Sequence, residues 1–151
     1  MRLYLMLLFC SFLWRCTNQH TESTAGRYSA QPDPERKVMI CKTARGFQLY
    51  RNGAPYYIKG ASGARQLDWV KKAGGNSVRV YAAADLNILL DRAAALGLSV
   101  MVDLYIGRYI DGFDYRDTAA VAAQKERIKK TVVKYKDHPA LLLWAVGNEP
   151  D

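Results

Sequence analysis

The sequence predicts an α/β fold in which about four strand–helix units form a parallel sheet. Three observations predict it. Short, nearly continuous apolar runs recur at Ser77–Tyr81, at residues 98–104 and at Leu141–Val146, the pattern of strands buried on both faces. The segments between them carry apolar residues at helical spacing. The connections are short, which implies right-handed crossovers between parallel neighbours.

The elements follow in order. Asn52-Gly53 is a favoured two-residue hairpin turn, because both residues tolerate positive φ. It is flanked by Phe47-Gln48-Leu49-Tyr50 and by Tyr56-Tyr57-Ile58. The first barrel-type strand is expected to end at Lys59-Gly60. Leu67, Val70 and Ala73 share one helical face, and Gly74-Gly75 stop that helix. Leu86, Leu89, Leu90, Ala93 and Leu96 make a second stripe, stopped by Gly97. Val121, Ile128, Val132 and Tyr135 make a third, with Asp117 as N-cap and His138-Pro139 beyond its end. That gives four parallel strands and three helices. A complete (β/α)8 barrel takes about 250 residues, so residues 37–151 are about half of one. The first strand–helix loop has no Gly-x-Gly-x-x-Gly cradle for a dinucleotide.

Composition excludes other classes. The chain has 151 residues, half of them hydrophobic and 11% aromatic, which argues against disorder. Three cysteines are too few for a disulfide scaffold. The 22 basic and 14 acidic side chains give +8. Arg2 and Arg15 fall in the leader, so the rest carries 20 against 14, or +6. Lys71-Lys72 and Lys129-Lys130 lie in helical patterns beside acidic residues. They read as solvated helix faces, and no nucleic-acid partner is expected.

Residues 3–14 form an uncharged run after Arg2. It is too short to span a bilayer and fits the apolar core of a secretory signal. Cys16 follows in the manner of a lipoprotein leader, although Trp14 and Arg15 are larger than that pattern allows. The expected organisation is a leader over residues 1–16, a polar tether over 17–36 and the α/β domain over 37–151. Export to the periplasm, cell surface or exterior follows, with Cys16 as the candidate lipid anchor and the leader as the one membrane contact. Cys41 is then the single thiol of the body. His20 and His138 are far apart, and no metal or cofactor site is expected.

In a parallel α/β sheet, functional residues project from the C-terminal ends of strands. Those positions hold Arg79, Asp103, Asn148 and Glu149. Each has an ordinary structural use. Asp103 could cap a loop, Arg79 could pair with Asp103 or Glu149, and Asn148 could form a turn before Pro150. Their coincidence at one rim is the stronger signal, because buried polar groups are costly unless paired or functional.

These residues also carry a resemblance. Residues 141–150, ending Gly147-Asn148-Glu149-Pro150, resemble the fourth strand of clan A glycoside hydrolases. Phe47-Gln48-Leu49, Asn52-Gly53 and Tyr57-Ile58-Lys59-Gly60-Ala61 resemble the entry to the family 2 TIM-barrel domain, and Asn76-Ser77-Val78-Arg79-Val80-Tyr81 its second strand. Gly112-Phe113-Asp114-Tyr115 and residues 135–140 extend the match. The resemblance implies the N-terminal half of a TIM barrel and a retaining hydrolase of β-linked oligo- or polysaccharides. Glu149 would be the general acid/base. Asn148 would bond the sugar 2-hydroxyl, and Arg79 would hold the nucleophile carboxylate ionised. Asp103 joins the sugar-binding rim. Tyr105, Tyr109, Phe113 and Tyr115, in the loop over residues 105–116, could stack on sugars or simply pack that loop.

The family's nucleophile is a Glu on strand seven, which these residues do not contain. The resemblance therefore implies a fragment of a longer enzyme, with open sheet edges that invite self-association. An inverting scheme pairing Asp103 with Glu149 is one alternative. A non-catalytic, surface-anchored carbohydrate-binding remnant is another, and a different barrel enzyme using the same rim is a third.

Overall fold

The computed structural model describes residues 32–33, 35–81 and 85–148. The expected leader, most of the tether, and Glu149 lie outside the described residues.

A three-stranded antiparallel meander comes first: β1 (Val38–Thr43), β2 (Gly46–Arg51) and β3 (Ala54–Pro55). Asn52 and Gly53 take φ of 50° and 75°, so the turn between β2 and β3 has the two positive-φ residues expected of it. The strand β1 was not expected. It is short, and only its alternate residues Met39 and Cys41 are buried. Its signal is therefore a brief period-two pattern rather than an apolar run. Cys41 is a free thiol.

The second sheet is parallel, in the order β4 (Gly60–Ser62), β5 (Ser77–Tyr81), β6 (Ser99–Leu104) and β7 (Leu141–Val146). The helices α1 (Leu67–Lys72), α2 (Leu86–Ala95) and α3 (Thr118–Tyr135) connect successive strands. This is the strand–helix alternation of a partial TIM barrel. None of the described helices is long and apolar enough to cross a membrane.

One boundary moves. The first parallel strand begins at Gly60 and runs to Ser62, instead of ending at Lys59-Gly60. Asn76 explains the shift. Its side chain accepts from Lys59 N and donates to Tyr57 O, each at 2.8 Å, so residues 57–59 bond to a side chain before the ladder starts. Gly60 then lies so close to β5 that a Cβ there would sit 2.7 Å from Ser77 O. A strand of Gly, Ala and Ser has little sequence signature.

The core lies between the sheet and the helices. Val78, Val80, Val100 and Val102 pack with Leu67, Leu86, Leu89, Leu90 and Ala93, and Tyr135 and Trp144 close against them. The opposite sheet face carries Ser77, Arg79 and Tyr81 beside Ser99, Met101 and Asp103 in register, because side chains alternate along a strand.

The meander covers the N-terminal end of this sheet. Tyr56 Oη donates to Asn76 O at 2.8 Å and lies 2.9 Å from Ser99 Oγ. Ser99 Oγ in turn donates to Ser77 Oγ at 3.0 Å. Arg51 Nη2 reaches Pro139 O at 3.0 Å, and Lys37 Nζ reaches His138 O. Burial and the Arg51 charge push the Lys37 amine below its usual range. With that end covered, the C-terminal ends of the strands face away from the meander.

Candidate active site

Arg79 is centred in β5 and Asp103 is near the end of β6. Arg79 Nε donates to Asp103 Oδ1 at 3.0 Å, and Arg79 Nη2 donates to Asp103 Oδ2 at 2.7 Å. Asp103 is 5% exposed and the Arg79 side chain 34%. A bidentate guanidinium–carboxylate pair is the geometry that offsets burial of both charges.

Asn148 joins them from the end of β7. Gly147 takes φ of 78°, and its N–H donates to Leu104 O at 2.9 Å. This left-handed residue turns the chain out of the strand. Asn148 Oδ1 then accepts from Arg79 Nη2 at 2.9 Å. Three of the four rim residues expected from the sequence thus meet at one point. Glu149, the next residue, is outside the described residues.

Beside this cluster lies a cleft of about 160 Å³, lined among others by Tyr81, Asp103, Tyr105, Ile106, Arg108, Asp111 and Asn148. Tyr81 was not foreseen as a site residue. Its signal is its place two positions after Arg79 on one strand, which gives the two side chains one face. The Arg79 guanidinium lies 4.8 Å from the Tyr81 ring centroid, within cation–π range. Arg108 and Asp111 form a two-point ion pair on the 3₁₀ turn Tyr109–Asp111, at 2.8 and 3.0 Å. The hydrogen bond from Arg108 holds the Asp111 carboxyl below the usual carboxylate range.

The loop aromatics divide. Tyr105 lines the cleft, and its carbonyl accepts from Arg127 Nη2 at 3.2 Å. Tyr109 is largely exposed on the 3₁₀ turn. Tyr115 donates to Gly107 O at 2.5 Å and packs edge-on against Phe113, with ring centroids 4.7 Å apart. The Gly107 N–H donates to the buried Gln124 Oε1 of α3. Tyr115 and Phe113 therefore hold the loop in shape, while Tyr105 faces the open space. Among the described residues, no three His, Cys, Asp or Glu side chains gather as a metal-holding group.

No family model matches the chain. The chain is 30% identical over 105 residues to mannan endo-1,4-beta-mannosidase A of Aspergillus aculeatus, covering 69% of this chain and 26% of that protein. Its fold is similar to that of the exo-chitosanase of Amycolatopsis orientalis, with a TM-score of 0.57 at 19% identity over 71% of this chain and 15% of that one. It is also similar to that of Saccharomyces cerevisiae Gas2p, solved in complex with laminaritriose and laminaritetraose. There the TM-score is 0.51 at 20% identity, over 74% of this chain and 29% of that one. The chain spans about a quarter of the length of the curated relatives it matches. In sequence and in fold, the chain is similar to part of the TIM-barrel domain of clan A glycoside hydrolases.

Proposed function

We propose that the protein hydrolyses O-glycosidic bonds in β-linked sugars by a retaining, two-carboxylate mechanism, with Glu149 as general acid/base. The observation that carries this reading is the Arg79–Asp103–Asn148 cluster at the ends of adjacent parallel strands, one residue before Glu149. The mannosidase relative and the laminari-oligosaccharide-bound neighbour support a β-linked polysaccharide as substrate.

In this mechanism Glu149 protonates the departing glycosidic oxygen while a second carboxylate, about 5–5.5 Å away, attacks the anomeric carbon. Glu149 then removes a proton from the water that releases the sugar. Its pKa must be raised for the first step and lowered once the partner's charge is consumed. Asn148 bonds the sugar 2-hydroxyl. Arg79 stabilises that second carboxylate in its ionised form. Tyr105 and Tyr109 offer faces on which sugar rings stack, and Tyr115 supports them. Residues 1–16 direct export, with Cys16 as the candidate anchor, and the tether over residues 17–36 leads into the catalytic domain.

A second reading is a carbohydrate-binding surface without turnover. One observation bears against a catalytic role for Asp103 in either reading. Both oxygens of Asp103 are engaged by Arg79, so Asp103 is poorly placed to serve as the second carboxylate of an inverting scheme.

The test is hydrolysis of nitrophenyl β-glycosides and of β-mannan and β-glucan by the protein expressed from its natural reading frame, beside Glu149→Gln. The proposal expects the variant to lose about 10²- to 10⁴-fold on the unactivated polysaccharides, the usual worth of a general acid. Equal turnover by both proteins would overturn it. Oligosaccharide binding without turnover in either would favour the second reading.

A further inference from the structure

The side-chain amide of Asn148 has a defined sense. The atom 2.9 Å from Arg79 Nη2 faces a group that only donates hydrogen bonds. That atom must therefore be Oδ1, which turns Nδ2 the other way. Asn148 is itself exposed, beyond β7, and among the described residues the contact that selects between its two amide orientations is the one to Arg79. The selection comes from the guanidinium.

The guanidinium is in turn aimed by Asp103. Nη2 has two hydrogens. One goes to Asp103 Oδ2 at 2.7 Å and the other to Asn148 Oδ1, while Nε binds Asp103 Oδ1 at 3.0 Å. Asp103 is buried in β6, a strand paired on both sides by β5 and β7. It is the most buried member of the three. A buried carboxylate without its partner is costly, so the pair holds its geometry whether or not a ligand is present.

We propose that Asp103 is a positioning residue. Acting through Arg79, it fixes the Asn148 amide so that Nδ2 is offered as a donor and the site selects a ligand oxygen that accepts. That the ligand is a sugar hydroxyl rests on the function proposed above. The orientation of the amide does not.

The test is nuclear magnetic resonance on the whole chain, with the Asn148 side-chain NH₂ pair assigned by its disappearance in Asn148→Ala. Asp103→Asn and Arg79→Lys should each shift that pair. Asp91→Asn, which touches His138 on another part of the surface, should leave it in place. Asp103→Glu, keeping the charge, should restore part of the wild-type position. A merely structural role for Asp103 predicts lower stability with an unmoved Asn148 pair, and that outcome overturns the proposal. Should Asp103→Asn fail to fold, the wild-type guanidinium decides. Separate Nη1 and Nη2 resonances for Arg79 report the clamped fork, whereas one averaged resonance contradicts it. None of these readings depends on turnover, so they stand or fall separately from the Glu149→Gln assay.

Discussion

Arg79 stands in register with Met101, yet its guanidinium reaches past Met101 to Asp103, two residues nearer the C-terminal end of the neighbouring strand. The diagonal brings a mid-strand arginine up to the rim. Arg79→Met should leave the Asp103 carboxylate buried and uncompensated. We expect a loss of about 3 kcal/mol, the low end for a broken buried pair because Arg79 is partly exposed. Arg79→Lys should recover only part, since an ammonium cannot make the two-point fork. Urea unfolding midpoints check both.

Gly107 is needed for want of a side chain. A Cβ there would lie 2.3 Å from the Phe113 ring. Gly107→Ala should destabilise by about 1–3 kcal/mol through overpacking and disturb the wall that carries Tyr105. Phe113→Ala in the same chain removes the ring but leaves a Cβ at 2.8 Å, so it should relieve part of the clash, and the double variant should be more stable than the sum of the two singles predicts. Thermal unfolding of the four proteins measures that coupling.

Asp117 caps α3. Its Oδ1 accepts from Ala119 N at 2.9 Å and from Ala120 N at 3.0 Å. Asp117→Ala should cost about 1 kcal/mol and Asp117→Ser much less. Because α3 also supplies Gln124 to the loop at Gly107, amide exchange should rise at residues 105–116 as well as at the helix start.

The loop should loosen in acid. Asp111 and Asp114 are both held below their ordinary value of 3.8, chiefly by hydrogen bonds from Arg108 and Arg116. A lowered folded-state pKa stabilises above the ordinary value and is lost as pH falls through the folded one. Loop order should therefore hold at neutral pH and decline below about pH 4. Asp111→Asn should show the same looseness at neutral pH. Amide exchange across residues 105–116 follows both.

The sheet and helices were legible because their burial is one-sided or complete. Leu86, Leu89, Leu90 and Ala93 repeat at helical spacing and all four are buried. Ser99–Leu104 and Leu141–Val146 are near-continuous apolar runs because each strand has helices on one face and the barrel side on the other. Gly60–Ser62 was displaced because small residues carry no such pattern, and its seating depends on the bond from Lys59 to Asn76, 17 positions away in sequence. The rim residues Arg79, Asp103 and Asn148 could be read as strand-end polar groups. A pairing of Arg79 with Asp103 was among the readings the sequence allowed. That Asn148 would join the same guanidinium was not, because it depends on the left-handed turn at Gly147. Tyr115 and Tyr105 look alike in sequence. Only the closure of the loop on Gly107 separates the residue that shapes the wall from the one that faces the cleft.

The central claim is that the strand-end cluster receives a sugar. The most direct measurement is titration of the isotopically labelled chain with mannotriose and with laminaritriose, followed residue by residue. The account predicts shifts at Tyr81, Tyr105 and the Asn148 side-chain amide with at least one of the two sugars, and none at Tyr56 and Ser99 at the N-terminal end of the sheet. Shifts confined to any other surface, or none with either sugar in a folded chain, would contradict it.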